Sequence, residues 1–187
     1  RYQTPHELKV GNLAIGFAVY PGKHHIGPEL QIGHLVGDHF DENVLLIKTC
    51  WGGKSLYKDF RPPSAGGETG EFYLKMVKEV QNVLEQAGDE MPSLKGAKLE
   101  LAGFFWFQGW NDMFDEKARS EYAVNLIDDF RKTFRVPELP VVIGETGNMG
   151  SDAGQNMLAI RASQAKAAAD IKPQGSAVFV STTEFAR

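Results

Sequence analysis

Short apolar runs alternate with amphipathic stretches along this chain of 187 residues. The apolar runs predict strands of a sheet, and they occupy residues 44–50, 99–107, 141–143 and 177–180. Stretches in which apolar residues recur every three or four positions predict helices at 28–40, 71–87, 122–134 and 156–169. Alternation of this kind predicts an α/β fold, in which a parallel sheet carries helices on both faces.

Turn-forming residues mark where several of these elements end. Pro28 suits the first turn of the first helix, and Gly88 is the predicted end of the helix that begins near residue 71. Residues 57–70 contain the pairs Pro62-Pro63 and Gly66-Gly67 and predict a loop. A further apolar run at 13–19 predicts a short strand.

Three of the predicted strands end in polar or glycine-rich tips. Gly52-Gly53 follow the first, Gln108 to Asp112 follow the second, and Glu145-Thr146 follow the third. Because the carboxyl ends of parallel strands meet at one edge of a sheet, we expect these tips to lie together. That edge is where open α/β sheets bind ligands.

The tip after residues 99–107 carries the polar side chains that are best suited to catalysis. The run stops at Gly109, and the side-chain amides of Gln108 and Asn111 flank this glycine. Amides donate hydrogen bonds without adding charge, which suits an oxyanion hole. The apolar run itself predicts a strand that is buried on both faces. A strand followed by an Asn-Asp turn that begins a helix explains the same residues without any function.

The amino-acid composition excludes several classes of protein. The length and the 42% hydrophobic content indicate one soluble globular domain over residues 1–187. A net charge of -4 gives no basic face for nucleic acid or for an anionic membrane, and no apolar stretch is long enough for a membrane span. The single cysteine, Cys50, excludes an internal disulfide and most structural zinc sites.

Three other motifs bear on the function of the chain. Gly53-Lys54-Ser55 resembles the end of a phosphate loop, but Lys48 stands where that motif needs its first Gly. Glu145 with Asp112 or Glu29 offers a carboxylate pair for glycosidic bond cleavage, although Glu29 also suits a helix start and Asp112 a helix cap. The chain has no G-x-S-x-G nucleophile elbow.

Several segments together resemble the sialate O-acetylesterase-like carbohydrate esterases of the SGNH hydrolase superfamily. The resemblance spans most of residues 27–147, in the order found in that family. The matching segments are GPE (27–29), VLLIKTCWGGKSL (44–56), DFRPPSAGG (59–67), EFYLKMV (71–77), AGFFWFQGWND (102–112) and LPVVIGETG (139–147). The implied fold is a three-layer α/β/α sandwich with a parallel sheet.

This resemblance assigns roles to particular residues. It implies that a backbone N–H of Gly52 or Gly53 and the amide of Asn111 or Gln108 complete an oxyanion hole. Candidate substrate-binding residues are Glu29, Trp51, Trp110 and Glu145, the tryptophans because indole rings stack on sugars, although aromatic residues at strand ends also serve as core. The implied substrate is an acetylated carbohydrate, and acyl transfer by this route implies no metal or organic cofactor.

The sequence departs from the family at both ends. The family's nucleophilic Ser lies in a Gly-Gln-Ser-Asn motif after the first strand, and its Asp and His follow the last strand. Neither block occurs in this chain, which begins with Arg1 and ends with Arg187. We therefore expect it to be part of a longer acetylesterase and to be inactive alone.

Two other functions stay open on the residues alone. One is a non-catalytic protein that binds carbohydrate at the same cleft, and the other is a glycoside hydrolase that uses Glu145. The residues leave the oligomeric state and the cellular location undecided, with a periplasmic or secreted location among the options.

Overall fold

The structure is a computed structural model that describes residues 9–17, 25–114 and 120–185. Its helices are α1 (Glu29–Gly37), α2 (Glu71–Glu90), α3 (Ser120–Phe134) and α4 (Gln155–Asp170). Its strands are β1 (Phe104–Trp106), β2 (Val141–Gly144) and β3 (Ala177–Val180). The chain forms two compact units, Arg1–Gly52 with Lys78–Lys98 and Gly53–Val77 with Leu99–Arg187.

The three strands form one parallel sheet in the second unit, in the order β1-β2-β3. Phe104 is in register with Val141, which is in register with Ala177. Parallel strands joined through helices are the signature of an α/β fold. The predicted fold class is confirmed, and the carboxyl ends of all three strands meet at one edge.

Helices α3 and α4 cover one face of this sheet. The Phe104 ring packs edge-on against Phe130 of α3, with ring centroids 4.6 Å apart. On the opposite face Phe105 is 41% exposed and Phe107 is 49% exposed, so the expectation that this strand is buried on both faces is wrong. The alternation follows from the pleat, which sends successive side chains to opposite faces.

The predicted helices agree with the structure in position, with differences at two ends. Helix α1 ends at Gly37, three residues before the predicted end, and α2 extends beyond its predicted end. Helix α2 passes through Gly88 and ends at Glu90, just before Pro92. A glycine inside a helix costs about 1 kcal/mol relative to alanine, whereas proline removes a backbone donor and clashes with the preceding turn. The proline therefore ends this helix.

The predicted strand at 44–50 is wrong, because these residues have no regular structure. Val44 is 37% exposed and Leu46 is 36% exposed, and no strand among the described residues pairs with this segment. An apolar run becomes a strand only where a neighbour satisfies its N–H and C=O groups.

Two other predicted strands differ from the structure in extent. The run at 99–107 forms a strand only over Phe104–Trp106, because its partner β2 begins at Val141. In the predicted strand at 13–19, residues 13–17 form bends and turns, and the last two positions lie outside the described residues.

The first unit has its own small core. Gly33 of α1 is buried, and a Cβ atom there would lie 2.6 Å from the side chains of Leu13 and Leu46. Glu29 at the start of α1 forms an ion pair with Lys48 (2.7 Å). In the part of the chain that the structure describes, no helix is long and apolar enough to cross a membrane.

Candidate active site

The tip of β1 continues into a 3₁₀ turn at Trp110–Phe114, and the carboxylate of Asp112 is buried within it at 3% exposure. One carboxylate oxygen accepts the backbone N–H of Leu56 (2.8 Å), and the other accepts that of Tyr57 (2.9 Å). The side-chain amide of Gln108 also donates to Asp112. Hydrogen bonds to a buried charge are strong, so Asp112 holds the loop after Gly53 against the β1 tip.

The two amides of this tip meet at one carbonyl group. The side-chain amides of Gln108 and Asn111 both donate to the carbonyl oxygen of Lys54, each at 3.2 Å. The amide nitrogen of Gln108 thus donates both its hydrogens, to Lys54 and to Asp112. The second amide hydrogen of Asn111 has no acceptor among the described residues. The amide of Asn111 therefore has an unused donor, whereas that of Gln108 does not.

Gly53 precedes this shared carbonyl and adopts a left-handed backbone conformation with φ +73°. A Cβ atom at Gly53 would meet nothing within 4 Å, so space does not require the glycine. Its backbone conformation does, because a Cβ atom is disfavoured at positive φ. Within the described ranges, the N–H of Gly53 donates to no protein acceptor.

The neighbouring glycines allow a matched test of this backbone requirement. We expect Gly53→Ala to lower the free energy of unfolding by about 1 kcal/mol, because Ala resists positive φ. Gly52→Ala is the control, since Gly52 has neither a positive φ nor any atom within 4 Å of the added Cβ. Urea unfolding of both variants measures the difference, and equal stabilities would contradict the assigned conformation.

The tip of β2 carries Glu145, which is 7% exposed. One carboxylate oxygen accepts the Ser181 hydroxyl (2.7 Å), the N–H of Thr182 (2.7 Å), and the N–H and hydroxyl of Thr183 (2.9 and 2.8 Å). Burial alone raises the pKa of Glu145, but these hydrogen bonds outweigh it and hold the pKa below its usual value. Glu145 is therefore an ionised anchor for the segment after β3.

Two buried polar residues of α4 connect the tips further. The amide nitrogen of Gln164 donates to the backbone oxygen of Gln108 (2.8 Å), and its oxygen accepts the N–H of Thr146 (3.0 Å). The guanidinium of Arg161 donates to the carbonyl oxygens of Thr146, Asn148 and Gly150 at 2.8 to 3.1 Å. Gln164 joins the β1 tip to the β2 tip, while Arg161 orders the loop that follows β2.

A cavity of about 30 Å³ lies beneath these tips, lined in part by Trp106, Gln108, Asp112 and Gln164. This volume holds about one water molecule and excludes a sugar ring.

The structure gathers some of the predicted site residues and assigns others to the first unit. Gln108, Asn111 and the residue after Gly53 are in direct contact, and Gln164 links this group to Thr146, next to Glu145. Trp110 is 42% exposed on the turn after β1. The candidates that belong to the first unit are Glu29, Trp51 and Gly52.

The described residues contain no group of three or more His, Cys, Asp or Glu side chains able to hold a metal ion. The buried carboxylates instead bind backbone N–H groups, hydroxyls and an amide, which are donors suited to a carboxylate without a metal.

Comparison with known proteins identifies the family. A family model described as carbohydrate esterase, sialic acid-specific acetylesterase, matches residues 9–185. A solved structure of a protein from Arabidopsis thaliana shares the fold with a TM-score of 0.59 and 19% sequence identity. That match covers 87% of this chain but 58% of the Arabidopsis chain. The search of curated proteins found no match.

The matched family has the SGNH hydrolase fold, which agrees with the parallel sheet seen here. The family match extends beyond the segments that carry the resemblance in the sequence and includes α4 and β3. The chain belongs to the sialic acid-specific acetylesterase family of carbohydrate esterases.

Proposed function

We propose that this chain supplies the oxyanion-binding part of a carbohydrate O-acetylesterase, with the N–H of Gly53 and the amide of Asn111 as the two donors. The observation that carries the proposal is the unused donor on each of these residues, next to the shared Lys54 carbonyl. Preorganised neutral donors stabilise the negative charge that develops on an acyl oxygen in the transition state.

The reaction is hydrolysis of an acetyl ester on a sugar. A serine attacks the acetyl carbonyl, a histidine accepts the serine's proton, and an aspartate orients the histidine. When the charge on the carbonyl oxygen collapses, the ester C–O bond breaks and the sugar oxygen leaves with the proton from the histidine. Water, deprotonated by the histidine, then attacks the acetyl-serine, and acetate leaves as the serine takes the proton back. The family's motifs for these three residues match no position in this sequence, so the proposal places them outside it.

In this proposal Gln108 has a supporting role, because both hydrogens of its amide are already engaged. Trp110 is the candidate for stacking on the sugar ring, since its half-exposed indole lies beside Asn111 in the sequence. Glu29 and Trp51 remain proposed substrate contacts. The N–H of Gly52 remains the proposed alternative to that of Gly53 as an oxyanion donor.

The state of Glu145 argues against its acting as the general acid of a glycoside hydrolase. A glycosidase needs one carboxyl group with a raised pKa to protonate the leaving oxygen. The pKa of Glu145 is lowered, and its hydrogen-bonded oxygen is committed to residues 181–183. Asp112 is likewise committed to the backbone of Leu56 and Tyr57.

A substrate panel tests the reaction class. We expect the protein expressed from its complete reading frame to release acetate from O-acetylated sugars and to leave aryl glycosides intact. The 187-residue chain alone should release none. Binding of acetylated sugars without turnover by the complete protein would favour a carbohydrate-binding function, and cleavage of aryl glycosides that Glu145→Gln abolishes would favour a glycosidase.

A further inference from the structure

Asp112 lies next to Asn111 in sequence, but its carboxylate faces the interior and is 3% exposed. Its two oxygens accept the backbone N–H groups of Leu56 and Tyr57, which lie 56 and 55 residues away along the chain. A buried carboxylate is costly unless such donors satisfy it. The carboxylate therefore joins two distant segments, the loop that follows Gly53 and the turn that contains Asn111.

Gln108 makes the second connection between the same two segments. One amide hydrogen binds Asp112, and the other binds the carbonyl oxygen of Lys54 at 3.2 Å. The same carbonyl accepts the amide of Asn111. Lys54 directly follows Gly53, so Gln108 fixes both proposed donors through one shared atom.

The loop that follows Gly53 is also held together by hydrogen bonds of its own. Asp59 accepts the N–H of Ser55 (2.9 Å) and its hydroxyl (3.1 Å). Leu56 is buried at 7% exposure. Since residues 55–59 hold together, a displacement at Leu56 and Tyr57 is passed on to Lys54 and Gly53.

We propose that Asp112 and Gln108 form a buried clamp that positions the oxyanion donors, Gly53 and Asn111, without touching the substrate. This inference rests on the proposed function, because positioning matters only if these donors bind the acyl oxygen. Catalysis of this kind is sensitive to geometry, and a displacement of about 1 Å reduces rates about a hundredfold. Loss of the clamp should therefore lower kcat and leave substrate binding nearly unchanged.

The first test replaces Asp112 with Asn in the protein expressed from its complete reading frame. In the Asp112→Asn variant the side-chain NH₂ group replaces one of the two oxygens that accept the N–H groups of Leu56 and Tyr57. Two donors then face each other, and the loop after Gly53 shifts. We expect kcat to fall about 10- to 100-fold and KM to change less than about twofold. Asp129→Asn is the matched control, since the Asp129 carboxylate binds the backbone N–H of Ser64 at 2.8 Å, and its kcat should match the wild type.

A double-mutant cycle separates positioning from a general structural effect. In an Asn111→Ala background, Asp112→Asn should reduce kcat by a much smaller factor than it does in the wild type, because one donor that it positions is gone. Equal factors in the two backgrounds would overturn the clamp.

Gln108→Met keeps the test decisive if Asp112→Asn does not fold. Methionine retains most of the volume and removes both amide donors, so kcat should again fall with little change in KM. An unchanged kcat in Gln108→Met would overturn the clamp.

Amide hydrogen exchange gives a readout that needs no esterase activity. Exchange at Leu56 and Tyr57 should be faster in Asp112→Asn than in Asp129→Asn. A wild-type protein without acetylesterase turnover would refute the proposed function alone, whereas unchanged exchange at these two amides would refute the clamp alone.

Discussion

Replacing Asn111 with Ala is expected to lower kcat for acetyl ester hydrolysis by about 100- to 1,000-fold in the protein expressed from its complete reading frame. The lost hydrogen bond forms with an oxygen that becomes negative only in the transition state. Binding of the uncharged ester depends much less on it, so KM should stay nearly constant. Steady-state kinetics on an O-acetylated sugar measure both constants.

Two further variants sharpen this prediction. Asn111→Asp places a carboxylate against the developing negative charge, so its kcat should be at or below that of Asn111→Ala. Asn156→Ala, an exposed asparagine in the first turn of α4, should keep wild-type kinetics. Wild-type turnover in Asn111→Ala would show that this amide does not bind the oxyanion.

Replacing Glu145 with Gln is expected to give the second large effect, a loss of about 2 kcal/mol in the free energy of unfolding at neutral pH. The buried carboxylate of Glu145 accepts two hydroxyls and two backbone N–H groups from residues 181–183. Charge-assisted hydrogen bonds are about twice as strong as neutral ones. In the Glu145→Gln variant the side-chain NH₂ group also faces the hydroxyl and N–H groups of residues 181–183, which need an acceptor.

The effect of Glu145→Gln should depend on pH in one direction. The pKa of Glu145 in the folded protein lies below its ordinary value of 4.5, so the unfolded chain takes up a proton first as the pH falls. The carboxylate's contribution is therefore complete above the unfolded pKa and declines as the pH drops below it toward the folded pKa. The stability difference between wild type and Glu145→Gln should shrink over this acidic range.

Urea unfolding at a series of pH values measures this difference. Glu71→Gln is the control, because the Glu71 carboxylate is exposed and its pKa is lowered by its hydrogen bond to Lys75 at the surface. That variant should change stability far less. If the difference between wild type and Glu145→Gln stayed constant from neutral to acidic pH, the anchoring role of the carboxylate would be refuted.

Much of the edge of the sheet was predictable from sequence because parallel strands constrain where their ends lie. If residues 99–107, 141–143 and 177–180 are strands of one parallel sheet, Gln108 and Glu145 have to lie at the same edge of that sheet. The local sequence was enough to predict these strands, since each apolar run and the turn residues that end it lie within one short segment.

Long-range pairing was not predictable in the same way. Residues 44–50 have the composition of a strand, yet their conformation depends on whether another segment pairs with them. The role of Asp112 depends on two backbone N–H groups more than fifty residues away, which no local pattern specifies.

Gln164 did leave a signal in the sequence. It lies four residues after Ile160 and three before Ala167, on the buried side of α4. A polar residue on the buried face of a helix indicates a buried hydrogen-bonding partner. The identity of that partner, the joined tips of β1 and β2, emerged only from the structure.

A crystal structure of the complete protein inhibited by an acetyl-ester phosphonate analogue tests the central claim most directly. The phosphonyl oxygen of this analogue occupies the place of the oxyanion. We predict that it lies about 2.7–3.1 Å from both the backbone nitrogen of Gly53 and the amide nitrogen of Asn111. A phosphonyl oxygen bound elsewhere, with Gly53 and Asn111 both out of hydrogen-bonding range, would contradict the account.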